Sequence, residues 1–253
     1  MIINHRHRFI FLKTRKTAST SMEIALSAFC GPEAVITSIE PEDEYIRQEL
    51  GYRGPQNIRV PLRQYSLLDG ARCLWNRTPK QFFHHAPASF VKENVPQSVW
   101  DDYFVFCFER NPFDKAVSLY YWMTDPPRPP LETYLARADV NRLSNWPIYT
   151  INGKVAVDFV GRYEQLEQGL AHVAERLNLP TPITLPNAKA GERPSRQPYP
   201  QLFTPRARNR VEIVCARECL HFGYKWGQDV VSTTGSHSEN SPVSSDQEIA
   251  ARG

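Results

Sequence analysis

The first thirty residues contain no glycine, the earliest being Gly31. That excludes a glycine-built GxxxxGK[ST] phosphate loop from this stretch. Long apolar runs are also missing. The N-terminal segment has only Phe9 to Leu12, too short for a signal segment or a membrane span, and no later stretch approaches the needed length. The expectation is a cytoplasmic chain with no transmembrane segment. The five cysteines (Cys30, Cys73, Cys107, Cys215 and Cys219) form no CxxC pair and no metal-ligand spacing. An odd, irregular set reads as reduced thiols in a reducing compartment, acting as small buried hydrophobes. There is no internal repeat. A large excess of one charge is missing too: a net +3 is too small to argue for a nucleic-acid partner, though it suits an anionic cofactor or an acidic glycan.

What is present is ordinary globular composition over 253 residues, enough for one substantial core. One domain is expected over residues 1–228. Beyond about Asp229 the chain is rich in Ser and Thr and poor in large apolar residues. Such a segment cannot offset the entropy of ordering, so residues 229–253 are predicted to be disordered.

Phe9 to Leu12 predicts a buried strand, and Met22, Ala25, Leu26 and Phe29 share one helical face behind it. Thr20 and Glu23 have capping-box spacing, which predicts a helix start near Ser19 to Ser21, and Gly31-Pro32 stops it. Glu33 to Gly70 reads as irregular, with a helix near Glu42 to Glu49. Gln81 to Asn94 runs into a helix from Ala88. Tyr103 to Phe108 is the clearest strand, continuously apolar as in a parallel sheet. Asn111 and Pro112 then predict the N-cap and first position of a helix reaching about Trp122. Leu131 to Ala138 predicts a short helix, Asn152-Gly153 a hairpin turn, Val155 to Val160 a strand and Leu166 to Leu177 an amphipathic helix. A last helix opens at Thr204-Pro205 and closes near Gly223. Strands alternating with helices make an α/β chain.

The first chemical constellation is Lys13-Thr14-Arg15-Lys16-Thr17-Ala18-Ser19-Thr20-Ser21, between strand and helix. A helix N-terminus offers backbone N–H groups and partial positive charge to an anion, and here hydroxyls and a lysine are added. A solvated basic loop with capping hydroxyls has the same composition. In context, the run Lys16-Thr17-Ala18-Ser19-Thr20-Ser21 resembles the K-T-x-[ST]-[ST]-[ST] loop of the sulfotransferase superfamily, most closely the uronyl 2-O-sulfotransferase branch and its bacterial relatives. Arg15 stands where that family usually has proline. The resemblance implies a P-loop-NTPase-like three-layer fold, a central mainly parallel sheet flanked by helices. It also implies that this loop holds the 5′-phosphosulfate of 3′-phosphoadenosine 5′-phosphosulfate, whose product is 3′-phosphoadenosine 5′-phosphate.

Phe108 through Tyr120 matches the superfamily's F-x-R-N-P-[FY]-[DE]-[KR]-x-V-S-x-Y pattern. The resemblance implies that Arg110 and Ser118 hold the 3′-phosphate, a task suited to the planar guanidinium fork. Val157 to Glu164 resembles the late V-D-F-[IV]-G-[RK]-[FY]-E strand, and Phe222-Gly223-Tyr224 the usual F-G-Y ending. Arg193 and Arg196, in the basic loop Lys189 to Pro200, stand in the place of the loop over cofactor and acceptor. A plain solvated charge cluster is the other reading of that loop.

Between the two phosphate motifs lie His84 and His85, in an interval where carbohydrate-type relatives carry a catalytic histidine. His85 is the favoured general base, His84 the second, and Glu109 a fallback better suited to pairing with Arg110. The expected activity is sulfuryl transfer to a hydroxyl acceptor, a glycan, with Lys16 stabilising the leaving group and no metal. Two alternatives stand beside it: a nucleotide-kinase-like P-loop enzyme, and a non-catalytic nucleotide- or glycan-binding relative.

Overall fold

The computed structural model describes residues 1–186 and 198–227. The strands, in chain order, are β1 (Ile2–Asn4), β2 (Phe9–Phe11), β3 (Val35–Ile36), β4 (Phe104–Glu109), β5 (Thr150–Ile151), β6 (Lys154–Val155) and β7 (Phe159–Arg162). The first helices are α1 (Ser19–Ser27), α2 (Pro41–Glu49), α3 (Leu67–Asn76), α4 (Ala88–Asn94), α5 (Gln97–Asp102) and α6 (Pro112–Met123). They are followed by α7 (Leu131–Arg137), α8 (Val140–Leu143), α9 (Trp146–Tyr149), α10 (Leu166–Arg176), α11 (Pro205–Val214) and α12 (Ala216–Phe222).

Five strands form one mixed sheet in the order β3-β1-β2-β4-β7. β2, β4 and β7 run parallel, while β1 is antiparallel to both β2 and β3. Side chains alternate across a strand, so each strand feeds both faces. Phe9, Phe11, Phe104, Phe106 and Phe108 point to one face, against Met22, Ala25 and Leu26 of α1 and Leu170 and Val173 of α10. Ile10, Leu12, Val105 and Cys107 point to the other, against Val91, Trp100, Trp146 and Tyr149. Burial on both faces is why β4 reads as an unbroken apolar run. A third cluster joins α6, α7 and α11 through Phe113, Val117, Leu131, Leu135 and Val211.

Two glycines let β7 and α10 close over β4. A Cβ on Gly161 would lie 2.4 Å from the Phe108 ring, and one on Gly169 2.6 Å from it. The Phe108 ring therefore occupies the space that any larger residue would need.

Several expectations shift. The first strand expected, at Phe9, is preceded by β1, too short to show a period. The expected strand from Val155 to Val160 is two pieces. β6 pairs with β5 across Asn152-Gly153, where both φ angles are positive as a tight hairpin requires, and β7 begins only at Phe159. The expected last helix is also two, α11 and α12, meeting at Cys215. Residues 67–76, which carried no expected element, form α3, opened by a capping box between Ser66 and Asp69. The five cysteines are all unpaired. Among the described residues no helix is long and apolar enough to cross a membrane.

Candidate functional site

Three parallel strands deliver their C-terminal ends to one edge of the sheet, the place where open α/β sheets bind ligands. β2 leads into residues 12–18, β4 into Arg110 and β7 into Tyr163.

The loop after β2 is held from inside. Thr14 Oγ1 donates to the Phe108 carbonyl, so the Thr17 hydroxyl, 2.9 Å away, donates to Thr14. Ser19 Oγ donates to the Thr14 carbonyl at 2.6 Å. Thr14 and two of the hydroxyls expected at the phosphate, Thr17 and Ser19, thus make bonds that shape the loop. Within it Lys16 and Ala18 adopt left-handed φ angles of 58° and 57°. Such conformations cost roughly 1–2 kcal/mol each in a non-glycine residue, and the internal hydrogen bonds offset that. Ala18 is also the residue before α1 and makes no side-chain cap bond. The dipole end of a nine-residue helix therefore opens at this loop without a side-chain cap.

The expected capping box does not form, and Lys13 turns away from the helix end to Glu23. Glu23 is fully buried, with Lys13 Nζ at 2.8 Å and the Thr37 hydroxyl at 2.9 Å. Burial alone would push its carboxyl up, yet the Met1 amino group and Lys13 hold it down at about 2. A buried charge needs a counter-charge, and that need removes both residues from the helix end.

A second buried group pins the loop from outside. Asn145 accepts from Arg15 N at 2.9 Å and donates to the Arg15 carbonyl at 3.1 Å. Its Nδ2 also donates to Glu109 Oε1 at 3.0 Å. Glu109 does not pair with the Arg110 side chain. It takes Lys115 Nζ at 2.9 Å, the Tyr149 hydroxyl at 3.0 Å and only the backbone N–H of Arg110. Burial acts to lower the Lys115 pKa, but Glu109 and Glu218 outweigh it and the net shift is upward. Fully buried, Glu109 ties Lys115, Tyr149, Asn145 and the Arg110 backbone together at this edge.

Arg110 reaches back to the first loop. Its Nη1 donates to the Lys16 carbonyl at 3.0 Å, its Nε donates to Asp114 at 2.8 Å, and its guanidinium lies 4.2 Å from the centre of the Tyr163 ring. A second bond to Asp114 comes from Nη2. Among the described residues, two of its five N–H groups, both on the terminal nitrogens, have no partner. Asp114, Ser118 and Trp122 follow one another at i, i+4 and i+8, a single stripe on α6. Arg110 grips the first of these and Lys16 Nζ sits 5.2 Å over the ring of the last. Half-buried Ser118 stands on that stripe between the residue Arg110 grips and the one Lys16 faces. Half-buried Arg15 adds to the positive field, its pKa lowered by burial and by neighbouring Arg142.

His85 closes the other side of the loop. Its Nδ1 is 2.7 Å from the Lys13 carbonyl. A carbonyl only accepts, so Nδ1 carries the proton and Nε2 keeps its lone pair. Removal from water, with Arg15 and Lys13 near, lowers its pKa to about 3 despite that carbonyl. His84 is exposed, its ring edge-on to His85 with centroids 5.2 Å apart. Burial of part of its ring and the Lys13 charge lower its pKa as well.

The late motif buttresses this edge. Glu164 accepts from Asn111 N at 2.7 Å and from the Tyr224 hydroxyl at 3.2 Å, joining the strand motif to the chain's Phe222-Gly223-Tyr224 ending. Arg193 and Arg196 lie outside the described residues, as do most of the basic loop and residues 229–253. Of the residues not singled out beforehand, Asn145 matters most. Trp122 was legible in principle, one helical turn beyond Ser118. Nothing local marks Asn145, which meets the loop across 130 positions of chain.

An uncharacterized protein of Archaeoglobus fulgidus is 39% identical over 100 residues, spanning 37% of this chain and 83% of that protein. The chain belongs to that protein's family. No family model matches the chain, and no solved structure matches it.

Proposed function

We propose that this chain is a sulfotransferase, moving a sulfuryl group from 3′-phosphoadenosine 5′-phosphosulfate to a sugar hydroxyl, on a P-loop-like βα unit made of β2, the loop and α1. The observation that carries the reading is the stripe on α6: Lys16 over Trp122, Arg110 on Asp114, and Ser118 between them. Two anion-binding groups brought to one helix face suit a ligand with two phosphates better than one with a single phosphate.

The residues fit such a ligand in their chemistry. Lys16, the uncapped start of α1 and the half-buried Thr20 supply charge and donors for the 5′ end. Arg110 retains two N–H groups, and Ser118 adds a hydroxyl, for the 3′-phosphate. The nucleotide supplies a sulfuryl group carried on a phosphate that leaves as an anion. Lys16 neutralises the charge on that phosphate, which is electrostatic catalysis. His85, with its proton held on Nδ1, accepts the acceptor's hydroxyl proton at Nε2. Its lowered pKa keeps Nε2 unprotonated at neutral pH. His84 lacks such an anchor and is assigned no proton transfer.

Incubation with labelled phosphosulfate donor and a panel of glycans tests this directly. Lys16→Ala is expected to lower the transfer rate by about 100- to 1,000-fold, the scale of losing one oxyanion donor. Arg110→Ala is expected to weaken binding of 3′-phosphoadenosine 5′-phosphate about 10- to 100-fold, as loss of a charge-assisted contact does. Absence of bisphosphate binding by calorimetry, together with no transfer to any acceptor, would overturn the proposal.

A further inference from the structure

α3 is mounted with its apolar face turned away from the protein. At about 100° per residue, Leu74, Leu67, Ala71, Trp75 and Leu68 fall within an arc of roughly 120°. All are exposed: Leu67 by 95%, Trp75 by 89%, Leu74 by 84% and Leu68 by 72%, and Ala71 likewise. The opposite side, with Asp69, Gly70 and Cys73, is the less exposed one. Lys80 Nζ holds Asp69 at 2.8 Å, and the Ser66 hydroxyl caps the helix start. The orientation is thus fixed by polar bonds on the inner side, the reverse of a helix that packs its apolar stripe on a core. Just before the helix, Leu62 is 76% exposed and extends the patch.

The charge around this face has one sign. From residue 59 to 80 the only acid is Asp69, and Lys80 already engages it. Arg59, Arg63, Arg72 and Arg77 are exposed in the same segment, and Arg72 borders the apolar arc. Leucine and tryptophan flanked by arginine is the make-up of helices that lie in the plane of a bilayer surface. A second copy of the chain is a poor occupant. A twofold contact of the patch with itself would bring the same arginines together, and like charges facing across an interface are unfavourable. The helix is also only about 15 Å long, offering less area than a stable dimer buries.

We infer that α3 is an interfacial anchor that docks the protein on an anionic lipid surface, with Leu67, Leu68, Leu74 and Trp75 entering the headgroup boundary and Arg63, Arg72 and Arg77 meeting lipid phosphates. The inference stands apart from the proposed chemistry and needs no bound nucleotide.

Co-sedimentation of the full chain with vesicles tests it, using phosphatidylcholine alone and phosphatidylcholine with phosphatidylglycerol. The expected result is binding to the anionic vesicles that weakens with added salt and is slight on neutral ones. Replacing Arg63→Gln, Arg72→Gln and Arg77→Gln should lower vesicle affinity about fivefold per arginine. Leu74→Ser with Trp75→Ser should lower it at least about tenfold. These side chains are exposed, so circular dichroism should show an unchanged fold. Failure to bind anionic vesicles, equal binding to neutral ones, or unchanged binding by the variants would each overturn the inference. So would a dimer, seen by sedimentation equilibrium, that the Leu74 and Trp75 replacements dissolve, for the second copy would then own the patch.

Discussion

Replacing Asn145→Ala should loosen the loop between β2 and α1 without touching any residue proposed to meet the ligand. The Asn145 side chain makes two bonds to the Arg15 backbone and one to the Glu109 carboxylate, and it is fully buried. Truncation removes two neutral hydrogen bonds at about 1 kcal/mol each and one charge-assisted bond at roughly 1.5–3 kcal/mol. The partners stay buried and lose their mates, so the loss is not refunded by water. The sum, about 3–5 kcal/mol, is a large part of the total stability of an ordinary domain. It should move a urea midpoint by roughly 1–2 M at unchanged slope. Calorimetry on the same variant should show weaker binding of 3′-phosphoadenosine 5′-phosphate, the proposed product, because the left-handed turns at Lys16 and Ala18 lose the clamp on neighbouring Arg15, one of the bonds that hold the loop. Asn145→Asp preserves the shape but loses both donor bonds and sets a carboxylate against Glu109, so it should be no milder. A variant Asn145→Ala with the wild-type midpoint and wild-type bisphosphate affinity would refute this account of the loop.

Gly161→Ala should destabilise the protein by about 1–3 kcal/mol through overlap with the Phe108 ring, and adding Phe108→Leu should recover part of it in thermal melts. His85 titrates at about 3 when folded and near 6.5 when unfolded, so the unfolded chain takes the proton first. The stability tied to this group is whole above pH 6.5 and is lost as pH falls toward 3; His85→Gln should flatten that part of a urea-midpoint profile. Buried Glu23, held at about 2 against an ordinary 4.5, acts in the same sense but lower. Its stabilisation is present above pH 4.5 and fades as pH falls toward 2, a limb that should persist in the His85 variant. Trp122→Ala should cost no more than about 1–3 kcal/mol in thermal melts, since the residue is 44% exposed and only its covered part is lost. A larger loss on differential scanning calorimetry would mean that the ring holds α6 in place rather than only facing Lys16.

Most helices were legible because their ends carry local signals. Asn111 accepts from Phe113 N and Thr204 from Ala207 N, as their residue types and places suggest. The α6 stripe was readable in the same way, from Asp114, Ser118 and Trp122 at a spacing of four. α3 escaped notice because its apolar face is not turned to the core. The Thr20 and Glu23 spacing misled, since a carboxylate that meets a buried lysine has a better partner than a helix amide.

Sequence alone determined the local matters: an α/β chain, a strand ending at a hydroxyl-rich loop, an arginine at the exit of the next buried strand and an asparagine-glycine hairpin. Each depends on residues within a few positions of one another, where side-chain type and period decide conformation. Tertiary structure alone decided which polar groups are partners. Glu109 with Lys115 and Asn145, Glu23 with Lys13 and Thr37, and Lys16 over Trp122 are pairings chosen across the fold. A buried charge takes the nearest complementary group in space, and nearness in space is set by how sheet and helices pack, not by spacing along the chain.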